Sequence, residues 1–164
     1  QAHPETSIPA GIRWAVKGLS QLMEYARGSG VTLVYENHAK PGVWTYTDFS
    51  QPPEIFLQIF SGTSGCGLGV NFDTGNASAF SSDPVHLLEQ VLPRLVSIHA
   101  ADTAVKGELR HVLLGTGVTP FKSLFSLLKQ NNWDGWVCME EASYQGIAGV
   151  EAAARFVRKT WETA

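Results

Sequence analysis

Cysteine is scarce in this chain, and its two cysteines are far apart. Cys66 and Cys138 stand alone, and neither belongs to a CxxC motif. Small secreted scaffolds need a dense set of paired cysteines, so this composition excludes a disulfide framework. We therefore expect two reduced thiols that pack as small core residues in a cytoplasmic protein.

Long hydrophobic runs and an excess of positive charge are also missing. No apolar run approaches the roughly 18 residues that a membrane-spanning helix needs. Residues 1–9 are polar and lack the apolar segment of a signal peptide, and no initiator methionine opens them, so we expect a processed chain or an excised fragment. The formal net charge is -3, which gives no electrostatic reason to expect nucleic acid as a partner.

The chain does have an apolar composition and four short apolar runs that each end in a polar side chain. Apolar residues make up 44% of the 164 residues and charged residues 16%. These fractions are typical of a single globular domain, residues 1–164, with a sizeable core. With their final polar residues, the runs are Val31–Glu36, Gly69–Asp73, Leu95–His99 and Trp136–Glu140.

Segments with apolar residues at helical spacing separate these runs. The predicted helices cover residues 12–27, 52–61, 83–92, 119–128 and 149–161. One helix followed by four strand–helix units predicts an α/β fold of four parallel strands and five helices, since no two runs are close enough for a tight hairpin. We expect the first strand to be buried on both faces, residues 74–77 to form a turn, and residues 39–50 and 100–117 to form long loops.

The polar residues that end the four runs predict a metal site. The carboxyl ends of parallel strands meet at one edge of a sheet, where ligands collect. Glu36, Asp73, His99 and Glu140 offer three carboxylates and one imidazole, which suit Mn²⁺, Mg²⁺, Co²⁺ or Zn²⁺. Each residue alone is more typical of a helix cap or a surface group, so the metal interpretation depends on four matching positions.

Longer motifs around these residues resemble a known family. From about residue 12 onward the chain is similar to the C-terminal half of the xylose-isomerase-like TIM-barrel superfamily, in its sugar phosphate isomerase/epimerase branch. The resemblance implies that the four runs are barrel strands five to eight and that Glu36, Asp73, His99 and Glu140 hold the metal. The motifs that carry it are Tyr35–His38, Gly69–Asp73 with Asn76–Ala77, Ile98–Asp102, Arg110–His111 with Gly115–Gly117, and Asp134–Trp136 with Met139–Glu141.

The resemblance also implies an activity, which is isomerisation or epimerisation of a sugar or sugar phosphate. The divalent ion would stabilise an enediolate, and Glu36 and Glu140 would be the base and the acid. At Asn76 the chain has an amide where ketose 3-epimerases have a histidine. Trp44 and Tyr46 are candidates to cover a sugar face. The residues predicted to bind substrate, each also typical of an ordinary polar residue, are His38, Asn76, Asp102, Lys106 and His111.

The length of the chain complicates this interpretation, because a full barrel needs about 200–250 residues and eight strands. Four strands alone would leave two open sheet edges. We therefore expect the chain to pair with an N-terminal half or to form a homo-oligomer. Two other functions stay open: a metal phosphoesterase of the AP-endonuclease type, disfavoured by the net charge of -3 and the single strand-end histidine, and a half barrel without catalytic activity.

Overall fold

The computed structural model describes residues 3–40 and 46–164. Helices and strands alternate through most of this part of the chain, and a short 3₁₀ turn, Leu92–Arg94, leads into β3. The helices are α1 (Ile8–Ala26), α2 (Pro53–Gly62), α3 (Thr74–Phe80), α4 (Pro84–Val91), α5 (Phe121–Gln130) and α6 (Gly146–Thr163). The strands are β1 (Val34–Glu36), β2 (Gly69–Asp73), β3 (Leu95–Ala100), β4 (Thr103–Val105), β5 (Glu108–His111) and β6 (Trp136–Met139).

Four of the strands form one sheet, in the order β1-β2-β3-β6, and every neighbouring pair is parallel. The sequence prediction of four parallel strands is therefore confirmed, and the arrangement is that of half a TIM barrel. The strand register aligns Glu36 with Asn71 and Asp73 with His99. The carboxyl ends of all four strands consequently meet at one edge, and the predicted metal ligands meet there as well.

The sheet has two different faces, because successive side chains on a strand point to opposite sides. We call the side that packs against the helices the outer face, which comprises Tyr35, Val70, Phe72, Ile98 and Val137. Val70, Phe72 and Ile98 are buried there in one cluster with apolar side chains of α4, α5 and α6. The hydrophobic effect on this face is what orders the helices on the sheet.

The inner face of the sheet comprises Val34, Glu36, Gly69, Asn71, Asp73, Val96, Ser97, His99, Trp136 and Cys138. Val96 and the next residue, Ser97, share this face because the register of β3 on β2 shifts at this point. Val34 is 41% exposed and Trp136 is 79% exposed. The prediction that the first strand is buried on both faces is wrong, because nothing in residues 3–40 and 46–164 covers the inner side of β1. Among the same residues, β1 and β6 each have one unpaired edge.

The two cysteines are free thiols, as expected. Their predicted burial is wrong: Cys66 is half-buried, and Cys138 is exposed because it lies on the inner face. A cytoplasmic location stays a prediction. Within the part of the chain that the structure describes, no helix combines the length and the apolar character that crossing a bilayer would require.

Two segments that the sequence predicted to be a loop and a turn contain regular secondary structure instead. Residues 103–111 form an antiparallel hairpin, β4–β5, so the expectation that the chain has no tight hairpin is wrong. Its turn uses Gly107 at φ +86°, and the Gly107 amide donates to Ala79 O at 2.7 Å. Residues 74–77 begin the short helix α3, a sixth helix in place of the predicted turn, because the carboxylate of Asp73 caps the helix by accepting from the Asn76 amide.

Candidate metal centre

Three of the predicted ligands meet at the carboxyl edge of the sheet. Glu36 ends β1, Asp73 ends β2 and His99 lies near the end of β3. One ligand atom from each of them lies within 4.8 Å of the other two. Consecutive strands of one parallel sheet therefore bring two carboxylates and an imidazole close enough together to hold one ion.

The fourth predicted ligand, Glu140, lies beside this cluster. Its backbone amide donates to Ala100 O at 2.9 Å, which continues the pairing of β6 with β3 for one more residue. Glu140 Oε2 is 3.4 Å from His99 Nδ1, and Glu36 Oε2 is 3.7 Å from the same nitrogen. Because β1 and β6 are the outermost strands of the sheet, the two glutamates approach His99 from opposite edges.

Asp73 is the most deeply placed of the ligands and is fixed from two sides. It is 1% exposed, and one carboxylate oxygen accepts from the Asn76 amide at 2.6 Å. The Asn37 side chain bridges to the Asp73 backbone twice: Nδ2 donates to Asp73 O, and Oδ1 accepts from Asp73 N, both at 2.8 Å. Both the backbone and the side chain of Asp73 are thus held in place before any ion binds.

A hydrogen-bonded chain on the inner face holds Glu36. Ser97 Oγ donates to Asn71 Oδ1 at 2.7 Å, and Asn71 Nδ2 donates to Glu36 Oε2 at 2.8 Å. These residues come from β3, β2 and β1 in turn. Outer hydrogen bonds of this kind orient metal-binding carboxylates, so Asn71 is placed to orient Glu36, a predicted ligand.

The electrostatics of the cluster favour a cation. Burial raises the pKa of the Asp73 carboxyl well above its usual value; the hydrogen bond from the Asn76 amide opposes this rise, and the charges of Glu140 and Glu36 add to it. His99 Nδ1 is buried and has no hydrogen-bond partner among the described residues. An unpartnered nitrogen surrounded by carboxylates fits a divalent ion, whose charge would relieve the repulsion.

A cavity of about 500 Å³ opens next to the cluster. Three residues predicted to bind substrate line it: His38 from the loop after β1, Asn76 from α3 and His111 from β5. Asn76 Oδ1 and His111 Nδ1 are buried there without a hydrogen-bond partner in the described part of the chain. Within the described residues both atoms lack a partner that a polar ligand could supply, and the substrate-binding role of these residues stays a prediction.

Two other residues predicted to bind substrate lie elsewhere. Lys106 is exposed in the turn of the hairpin and does not line the cavity. Asp102 is buried, and its carboxylate accepts from four backbone amides at 2.9 to 3.1 Å. These bonds tie the hairpin to the segment before α5, so the observed contacts of Asp102 support a structural role and leave substrate binding a prediction without support. The four amide donors to Asp102 are Thr103, Gly115, Gly117 and Thr119.

The sequence analysis missed several residues around the centre. Asn71 and Ser97 lie two positions before ligands on their strands, and a polar residue at that spacing inside an apolar run was a usable signal. Leu109, which lines the cavity, and Asp48, which bonds His38, were not recognisable without the fold. Trp44 lies outside the described residues, and Tyr46 stacks edge-on with His3 at 5.4 Å.

Comparison with known proteins agrees with this architecture. A family model described as a xylose isomerase-like TIM barrel matches residues 1–160. Proteins named inosose dehydratase from Bacillus anthracis and Clostridium beijerinckii are 25% and 26% identical over 158 residues, which cover 87% of this chain and 51% of each relative. The chain therefore spans about half the length of these curated relatives.

Solved structures of the same shape are similarly larger than this chain. The IolI protein with a bound zinc atom superposes with a TM-score of 0.80 at 17% identity, over 99% of this chain and 60% of that one. A D-tagatose 3-epimerase-like protein superposes with a TM-score of 0.73 at 23% identity, over 90% of this chain and 53% of that one. At these identities the likeness establishes the fold alone.

Proposed function

The chain belongs to the xylose isomerase-like TIM-barrel family, and on that basis we propose that it binds a divalent metal ion and acts on a sugar or a cyclic polyol. The observation that carries the proposal is the meeting of Glu36, Asp73 and His99 within 4.8 Å beside a cavity of about 500 Å³. Relatives named as inosose dehydratases and a D-tagatose 3-epimerase-like protein support a polyhydroxylated substrate with a carbonyl group.

Glu36, Asp73 and His99 would hold the ion, with Glu140 as a fourth ligand. This set of oxygen and nitrogen donors suits Mn²⁺, Mg²⁺, Co²⁺ or Zn²⁺, and the zinc bound in the IolI structure supports a metal in this fold. When bound, such an ion would supply Lewis acidity, which would acidify the C–H bond next to a sugar carbonyl.

Glu36 and Glu140 would carry the proton. They reach His99 Nδ1 from opposite edges of the sheet, at 3.7 and 3.4 Å, so they can face a bound sugar from two sides. One carboxylate accepts the proton of the C–H bond, and a carboxylic acid returns one to carbon or oxygen. The number of protons is unchanged overall, which is the balance that isomerisation or epimerisation requires.

Dehydration is the second candidate, favoured by the named inosose dehydratases. It begins with the same removal of a proton next to a carbonyl. The proton that Glu36 or Glu140 has accepted then passes to the hydroxyl that leaves as water. Asn76, where ketose 3-epimerases have a histidine, departs from the epimerase pattern. A phosphoesterase acting on DNA has less support, because the net charge of -3 gives no overall electrostatic attraction to DNA.

The complete activity would need a second half barrel. The inner face is uncovered in residues 3–40 and 46–164, with Trp136 79% exposed, and the cavity is lined from one side of a barrel only. We propose that a second copy supplies the cover when the chain is alone in solution. A two-fold axis along the barrel would place β6 of each copy parallel to β1 of the other.

Metal content tests the proposal. We expect purified chain dialysed against Mn²⁺ or Zn²⁺ to retain about one ion, and the Asp73→Ala variant to retain none, measured by elemental analysis. Asp73 also caps α3, so Asp83→Ala is the matched control: Asp83 caps α4 by accepting from Val85 N and His86 N but lies outside the cluster. If wild type holds no more metal than Asp73→Ala, the chain is a half barrel without the proposed site.

A further inference from the structure

His38, which lines the cavity, is held by the carboxylate of Asp48, ten residues further along the chain. Its Nδ1 lies 2.5 Å from Asp48 Oδ2. The other oxygen of the same carboxylate, Oδ1, lies 3.0 Å from Lys40 Nζ. His38 and Lys40, which follow β1 closely, thus each contact one oxygen of the Asp48 carboxylate.

Asp48 is itself fixed to the fold, so the pair is not a chance contact of loose side chains. Its side chain is 15% exposed, and its carbonyl oxygen accepts from the Gln51 amide at 3.1 Å. The next residue, Phe49, lies against α1 at Gly11, where an added Cβ would come within 2.3 Å of the ring. The close approach of Phe49 to the helix backbone anchors the segment that carries Asp48.

The bond determines which nitrogen of His38 carries the proton. Burial by itself would raise the pKa of Asp48, but the hydrogen bonds and charges of His38 and Lys40 outweigh it and lower that pKa. An ionised carboxylate is an acceptor only. The proton of this short bond is therefore on Nδ1, so that in the neutral form of the imidazole Nε2 is left as an acceptor.

We propose that Asp48 is the positioning residue of His38, holding it as the Nδ1–H tautomer so that Nε2 accepts a hydrogen bond from a hydroxyl of the bound sugar. Nε2 has no hydrogen-bond partner in the described ranges, while the imidazole lines the cavity beside Glu36. This assignment rests on the proposed function for its ligand, and on the Asp48 contact for its geometry.

A second histidine–carboxylate pair provides an internal contrast. His86 Nδ1 lies 3.2 Å from Glu89 Oε2 on the surface of α4, and both side chains are 62% exposed. An exposed pair one helical turn apart is worth little and orders its partners weakly. His38 is 52% exposed, but its partner Asp48 is only 15% exposed and is also held by Lys40. Asp48 should therefore fix its histidine, whereas Glu89 should not.

The tautomers can be read directly from long-range ¹H–¹⁵N spectra of the chain at alkaline pH, where both imidazoles are neutral. We expect His38 to be almost wholly Nδ1–H in wild type and to become a mixture of tautomers in Asp48→Ala, while His86 is a mixture throughout. Asp48→Asn, which keeps the shape of the side chain, should give an intermediate mixture and guards against misfolding of Asp48→Ala. Glu89→Ala is the matched control and should leave His38 unchanged.

The role of Nε2 is tested with two probes, D-tagatose and an inosose, titrated into the metal-loaded chain. We expect Asp48→Asn to weaken probe binding about tenfold, the effect of losing one aligned hydrogen bond, with metal content equal to wild type. Wild-type His38 with the same tautomer mixture as Asp48→Ala overturns the positioning role. An Asp48→Asn variant that binds the probes as tightly as wild type overturns the acceptor role of Nε2, as does a chain that binds metal but neither probe. A chain without metal overturns the proposed function and leaves the tautomer result standing.

Discussion

On β2, Phe72 points to the helices while its neighbours Asn71 and Asp73 point to the inner side of the sheet. Phe72 is 0% exposed and belongs to the apolar core cluster. Asn71 and Asp73 are equally buried but are surrounded by polar partners from β1, β3 and α3. The outer face of β2 therefore contributes to stability and its inner face to the candidate site. Substitutions at adjacent residues can distinguish the two contributions.

The largest effect is expected on the outer face. Phe72→Ala removes most of a fully buried aromatic side chain and leaves a cavity between the sheet and the helices, which should lower the free energy of unfolding by about 3–5 kcal/mol. Urea unfolding followed by circular dichroism measures this loss. A change below about 1 kcal/mol would show that the outer face is not the core that holds the sheet and the helices together.

The matched change on the inner face is Asn71→Ala. It removes the hydrogen bond to Glu36 Oε2, so metal affinity should fall about 10–100-fold, the usual effect of losing a partner that orients a ligand. Its destabilisation should be well below that of Phe72→Ala, because Glu36 and Ser97 are only partly buried and water can replace the lost bonds. Titration calorimetry with Mn²⁺ or Zn²⁺ checks the first expectation, and equal affinities would remove Asn71 from the site.

Asp73 should link pH to the stability of the metal-free chain. Its pKa is raised in the folded state, chiefly by burial, so the folded chain holds this proton more tightly than the unfolded chain does. The contribution of Asp73 to stability is then full below its usual pKa near 3.8 and is lost as pH rises through the folded pKa. Asp73→Asn should therefore raise the unfolding midpoint of the metal-free chain at neutral pH.

That gain should vanish in acid, where Asp73 is protonated in both states. Thermal unfolding of both proteins in a chelator, from below pH 3.8 up to pH 8, compares them. An Asp73→Asn variant that is less stable than wild type at every pH would show that the ionised carboxylate is stabilised in the fold after all.

The smallest effect on the free energy of unfolding is expected at Trp136, on the inner face of the sheet. Trp136→Lys changes a side chain that is 79% exposed, so the stability of the monomer should change by no more than about 0.5 kcal/mol. The same change should abolish self-association, because pairing with a second half barrel would bury the charge of the new lysine without a partner. Sedimentation velocity checks this, and a stable wild-type monomer would contradict the proposed pairing.

The sequence predicted those parts of the protein that depend on neighbouring residues along the chain. Periodic apolar residues predicted all helices except α3, and the four apolar runs predicted the parallel strands of the sheet. Asp83 and Pro84 were recognisable as the start of α4 because a cap acts within one turn. The polar residues at the strand ends followed from the same local pattern, since parallel strands bring their carboxyl ends together.

Contacts between distant residues were decided only by the tertiary structure. Asn71 supports Glu36 across 35 positions, and Asn37 fixes the backbone of Asp73 across 36. Asp102, whose substrate-binding role stays a prediction, accepts from four amides of the hairpin and the following loop. None of these partnerships has a local signature, because a hydrogen bond between strands depends on register and side-chain direction rather than on spacing in sequence. The exposure of the inner face was also decided by the tertiary structure. Val34 and Trp136 are apolar residues of the kind found in cores, and only the packing of the sheet shows that nothing among the described residues covers them.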